Sequence, residues 1–358
     1  MIYNSHIHTF MDCDIPRGFL PLGLVRVLST KRGARYMSRL LNNINPFSDN
    51  DALDRYVKFI EIGRLGSQEN IYKACRKFYP RNSKFGVLAM DMAYMGAGEV
   101  PRGYVEQLQE LGELKNKYPE VIPFVHIDPR RPAYMDILKQ AVEEWGFRGV
   151  KVYPPLGYFP YDKDMYSVYA YCQKHGLPVI THCSPFNPVH FKGDKKQLRE
   201  LLKKSHDVID TVGMDRKMMC SKFTHPLNWE PVIRDFPELK ISLGHFGSFH
   251  YWKAFLEDPE GPDNWFLIIK DMLEKHPNLY TDISFTLHDK EYFPLLKILL
   301  QDEAIRRKIL FGSDYYMVET ETTERRFSID LRAYLGEQDF MTIAKENPEC
   351  FFQTKLND

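Results

Sequence analysis

Short apolar runs recur along the chain, separated by stretches with helical spacing. Eight stand out: Met1–His8, Phe85–Tyr94, and runs starting at Val121, Arg148, Leu177, Leu239, Leu279 and Lys308. Each is rich in β-branched or aromatic residues and bounded by Gly, Pro, Asp or Asn, which predicts buried strands. The stretches between them read as helices. Ala133–Trp145 stops before Gly146, Met165–His175 stops at a C-cap glycine, Gly176, and Trp265–His276 stops before Pro277. Strands alternating with helices imply parallel pairing, and eight such units imply a closed (β/α)8 TIM barrel. The rival, an open doubly wound sheet, usually carries a glycine-rich phosphate loop after its first strand. Here that strand runs into TFMDCDIPRG, which has no such loop.

Two gaps are too long for simple loops: residues 9–84 after the first strand and 186–238 after the fifth. Both leave from the C-terminal end of a strand, the end where barrel enzymes keep their chemistry, and segments of that size usually cover a site. The expected organisation is one domain, residues 1–358, with cap segments inserted at these two points. The basic stretch Arg26–Arg39 in the first gap reads as a solvated helix.

Charge narrows the function. Lys plus Arg and Asp plus Glu both number 48, so the formal net charge is zero. Nucleic-acid or anionic-membrane binding normally rests on a basic excess, so neither is expected. No apolar run approaches the ~18 residues that span a bilayer, and MIYNSHIHTF lacks the pattern of a signal peptide. The six cysteines are scattered with no CxxC pair, which suits a reducing, cytoplasmic setting. The expected partner is a small-molecule substrate; any protein partner would be a second copy of the chain, as a homo-oligomer.

The candidate chemistry lies at the strand ends. His6 and His8 are two apart on the first strand, and strand alternation sends both to one face. His182 ends the fifth strand, His245 the sixth and Asp314 the eighth. On the barrel reading all five converge on one mouth. Imidazoles plus a carboxylate suit a divalent metal that keeps an open water position, zinc by default and manganese with the same ligands. Taken singly, each is as well read as a satisfied core histidine or a capping aspartate.

The order and placement of these residues resemble the amidohydrolase superfamily, and most closely its amidohydrolase-related (amidohydrolase 2) family of metal-dependent TIM-barrel hydrolases and decarboxylases. The segments GFRGVKVYPP, GLPVITHCSP and His225–Gly247, and the closing ENPECFF, carry the likeness. It implies that His6, His8, His182 and Asp314 hold the principal metal, and that Asp314 also takes a proton from metal-bound water. It makes His245 a ligand of a second metal or an acid/base and electrophilic group. Lys151, on the fourth strand, is a fork: a carboxylated lysine bridging two metals, an unmodified contact to a substrate carboxylate, or a partner of a buried aspartate such as Asp91 or Asp128. One metal is expected, two if Lys151 is carboxylated.

Among the other histidines, His175 and His276 suit helix C-termini and His126 suits packing. His225, His250 and His288 lie on loops after strands, with His225 the leading substrate contact. Cys183 points away from the site as a small buried hydrophobe. Tyr153, Tyr158, Phe159, Tyr161, Tyr315 and Tyr316 lie beside the mouth, either packing there or favouring an aromatic substrate. The expected activity is attack of metal-activated water on an amide, ester or lactone. The alternatives are non-oxidative decarboxylation of an unsaturated or aromatic acid, and a barrel that only binds a ligand.

Overall fold

A computed structural model of the chain describes residues 1–19 and 58–356. The basic stretch Arg26–Arg39 and most of the first long gap lie outside the described residues. Eight strands form one parallel sheet in sequence order: β1 Tyr3–Ile7, β2 Lys84–Leu88, β3 Val121–His126, β4 Gly149–Val152, β5 Val179–His182, β6 Ile241–Gly244, β7 Leu279–Asp282 and β8 Ile309–Leu310. The sheet curls back on itself. Ser5 N–H donates to Phe311 O at 2.8 Å and Asp314 N–H donates to His6 O at 2.8 Å, tying the chain after β8 to β1. Helices alternate with the strands, giving the (β/α)8 architecture expected from the apolar runs.

The strands are shorter than the runs that encode them. β2 ends at Leu88, although the buried run continues to Met92, because the chain turns there into loops over the barrel mouth. Helix α1, Tyr134–Glu143, matches its expected span within two residues at each end. Helix α2, Lys163–His175, starts earlier than its apolar spacing shows, because the Asp162 side chain accepts the Asp164 amide and caps two polar residues into the helix. Its end is as expected: Gly176 adopts φ +66°, a conformation that a Cβ would penalise. Helix α3, Trp265–Lys275, begins under an Asn264 cap.

Two hydrophobic cores result. The larger lies between the sheet and the helices, and holds residues such as Val87, Val125, Val150, Val179 and Leu243. The smaller fills the barrel: Leu88, Phe124, Ile180 and Leu310, closed by Phe351 with Phe352 packed against it. Those two rings come from the terminal helix Asn347–Phe352. Phe352 stacks on Tyr3 with ring centroids 5.8 Å apart, and Phe351 meets Tyr280 at 5.1 Å. The ENPECFF segment thus stoppers the end of the barrel where the strands begin. Close packing also fixes Gly149, since a Cβ there would lie 2.1 Å from the Phe124 ring.

Candidate active site

The five singled-out residues reach the mouth on different elements. On β1, the register with β2 shifts between Asn4 and Ile7. Asn4 turns toward the helix layer, where its amide donates to Tyr79 Oη at 2.9 Å and to Ser313 Oγ at 2.8 Å. His6 turns into the barrel, although simple alternation would give the two one face. Such irregularities re-aim side chains beside active sites. His6 and His8 remain neighbours, with ring centroids 5.4 Å apart.

His6, His245 and Asp314 each offer one ligand atom, and these atoms lie within 4.8 Å of one another. All three residues are buried. His182 touches the group from the side: its Nδ1 is 3.0 Å from His245 Nε2. His8 Nδ1 bonds the Leu88 carbonyl at 2.8 Å. The structure thus gathers His6, His8, His182, His245 and Asp314 at one end of the barrel. Lys151 lies close enough for its charge to act on His6 and Asp314.

Hydrogen bonds orient the imidazoles. Asn187 Oδ1 accepts the Val189 amide at 2.8 Å, which leaves Nδ2 to donate to His182 Nε2 at 2.8 Å. His182 must then carry its proton on Nδ1 and donate to His245 Nε2, and His245 donates from Nδ1 to Ser284 O at 3.0 Å. Asp282, at the end of β7, is the hub beneath them. Its Oδ2 is 2.9 Å from His6 Nδ1, and its Oδ1 accepts the amides of His245 and Ser284, each at 3.0 Å, and the Ser284 hydroxyl.

Burial governs the ionisation of the group. It is the main cause holding His6, His8 and His182 below the usual imidazole range, and it takes His245 to about 3, so all four are neutral at pH 7. Burial raises Asp314 to about 7 and lowers Lys151 to about 8. Asp282 goes the other way: burial opposes its charge, but His6 and the donors on its oxygens outweigh that and hold it below the carboxylate range.

The local backbone is strained. Eight non-glycine residues have positive φ among those described, and five of them, Phe186, His245, Ser248, Phe285 and Asp314, line one cavity. Such conformations cost about 1–3 kcal/mol each and cluster at functional sites. The cavity, about 440 Å³, opens over His182, His245 and Asp314. Its walls are mainly Phe19, Phe59, Phe186, Phe249, Phe285 and Met317. His250 and His288 also line it, whereas His225 does not; His225 bonds Asp263 at 2.8 Å and accepts the Leu227 amide. The tyrosines singled out beside the mouth, and Phe159, do not line it either, but Tyr153 stacks on His182 with centroids 4.6 Å apart. The aspartates offered as partners of Lys151 are taken by arginines, Asp91 by Arg131 and Asp128 by Arg130. Lys151 Nζ is buried with no hydrogen-bond partner among the described residues. Cys183 is buried, with Sγ 3.6 Å from the Thr224 carbonyl. No helix among the described residues is long and apolar enough to cross a membrane.

Sequence reasoning missed Asp282, Ser284 and Asn187. Asp282 carried the same signal as Asp314, a carboxylate where a strand gives way to its loop. Asn187 and Ser284 carried none, since each is one polar loop residue among many.

Eight sequential parallel strands with histidines and an aspartate gathered at one end define a (β/α)8 barrel with a candidate metal site at its mouth. The amidohydrolase family profile matches residues 86–354, well over half of the chain, and the chain belongs to that family. No curated protein matches the sequence. Among solved structures, an uncharacterised TIM-barrel protein of Bordetella bronchiseptica is similar at 15% identity and a TM-score of 0.54, covering 98% of this chain and 97% of that one. The 4-oxalomesaconate hydratase of Rhodopseudomonas palustris is similar at 14% identity and 0.51, covering 98% and 95%. An amidohydrolase of Burkholderia multivorans with bound zinc is similar at 13% identity and 0.50, covering 98% and 99%. At these identities the likeness is one of fold.

Proposed function

We propose that the chain is a metal-dependent hydrolase of a small molecule, with a divalent cation held by His6 and Asp314 and by imidazoles of the His8, His182 and His245 set. The observation that carries this reading is His6 Nε2. It is buried without a hydrogen-bond partner among the described residues, on the ring of one of the three residues whose ligand atoms lie within 4.8 Å of one another. A bare imidazole nitrogen left unpaired in a protein interior is costly, and a cation would satisfy it. The donor set suits zinc or manganese, and one similar structure is described with zinc bound.

When bound, such a cation supplies a water acidified from far above neutrality to a pKa of about 7 and an electrophile for a carbonyl oxygen. The chain's own residues do the rest. Asp314 has no side-chain hydrogen bond among the described residues and faces the cavity, so its carboxylate is free to orient water and take its proton. A neighbouring cation favours the ionised form that burial alone disfavours. His245 gives its Nδ1 proton to Ser284, so Nε2 serves as acceptor or ligand. The phenylalanine walls hold the apolar body of the substrate and exclude bulk water.

The test starts with metal content. Protein produced with zinc or manganese supplementation should hold about one equivalent of metal, and His6→Ala and Asp314→Asn should each lose it. Amide, ester and lactone panels, run beside carboxylic acids assayed for carbon dioxide, separate hydrolysis from decarboxylation. Absence of stoichiometric metal after supplementation sinks the reading, and carbon dioxide release without hydrolysis replaces it with the decarboxylase.

A further inference from the structure

The carboxylate of Asp282 is fully buried and is shared by three elements. It ends β7, it bonds the ring of His6 on β1, and it receives the backbone amide of His245 just after β6. Ser284 adds a third tie, since its hydroxyl donates to Asp282 and lies 3.0 Å from His245 Nδ1 and 3.2 Å from His6 Nδ1. With three donors on Oδ1, the carboxylate is an acceptor throughout. The nitrogen of His6 that faces Oδ2 must therefore carry the ring proton.

We propose that Asp282 is a positioning residue: it holds the proton of His6 on Nδ1, so that the buried, unpartnered Nε2 is left bare for a ligand, and it ties His245 into the same frame. The proposal rests on the metal reading of this cluster, because a bare Nε2 is what a cation requires. A histidine whose far nitrogen is held by a carboxylate is also a more basic and better-oriented ligand. One residue thus sets the ring of a β1 histidine and the backbone of the one that follows β6.

Asp282→Asn makes a specific prediction. Oδ1 keeps its three donors, so the amide nitrogen takes the place of Oδ2 and donates to His6 Nδ1. The ring proton then moves to Nε2, which is no longer bare. Nitrogen NMR of histidine-labelled apoprotein, with His6→Ala identifying the signals, should show Nδ1–H in the native protein and Nε2–H in the variant. Zinc affinity, read by competition with a chromogenic chelator, should fall about 10–100-fold, with circular dichroism unchanged. An Nε2–H tautomer in the native protein overturns the proposal whether or not the variant folds. A folded variant that keeps Nδ1–H, or one that changes tautomer at native zinc affinity, overturns it as well. If the native protein and His6→Ala alike bind no zinc, the metal reading falls, and the tautomer measurement alone decides what Asp282 does.

Discussion

Replacing Glu324 by glutamine should change how stability depends on pH. Glu324 is fully buried behind β1 and β8 and has pKa about 7, raised chiefly by burial from 4.5. Its Oε1 takes the Tyr79 hydroxyl, the Asn4 amide at 3.3 Å and the Cys75 thiol at 3.8 Å, while Oε2 has no partner among the described residues. The unfolded chain loses this proton near pH 4.5, whereas the folded chain keeps it until about pH 7. Between those values the folded state binds more protons, so stability falls as pH rises. A shift from 4.5 to about 7 corresponds to about 3 kcal/mol, present in full below pH 4.5 and lost once the pH has passed 7. Glutamine cannot ionise. It leaves an amide donor short of a partner, which costs about 1–3 kcal/mol at every pH. The variant should therefore be the less stable protein at pH 4.5 and should gain about 3 kcal/mol relative to the native chain by pH 8. Urea titrations of both metal-free proteins across this range measure the difference, and groups common to both cancel. Parallel stability curves would refute the assignment of a protonated carboxyl at this position.

Gly149→Ala should cost about 1–3 kcal/mol by thermal or urea unfolding, because the new methyl falls on the Phe124 ring. Phe351→Ala should cost about 3–5 kcal/mol in the same assay, since Phe351 closes the barrel core. Chelation should lower the melting temperature reversibly. A cation present at a hundredfold excess over its Kd contributes about 2.7 kcal/mol, and its removal from Asp314→Asn should change nothing. Phe249→Ala, which opens one wall of the cavity, should raise KM for a hydrolysed substrate more than it lowers kcat.

The barrel was legible because its evidence is repetitive. Eight apolar runs with turn residues between them leave few other architectures. His6, His8, His182, His245 and Asp314 were legible because strand ends bring distant residues together once the fold is fixed. Contacts made across the sheet were not. Nothing near Asn4 in the sequence shows that the register shifts after it, sending its amide outward while His6 goes inward. Asn187 and Ser284 act through side-chain hydrogen bonds made from irregular loops, where no periodicity exists to expose them. The tyrosines near strand ends were left between packing and substrate contact, and the cavity is instead lined by phenylalanines from loops and helix starts. Phe186 and Phe285 hold positive φ there, which propensity argues against.

The two phenylalanines that stopper the bottom of the barrel also decide the traffic through it. With the interior packed solid beneath the histidines, nothing can pass from one face of the barrel to the other. A molecule that reaches Asp314 must leave on the mouth side of the barrel, the side from which it came.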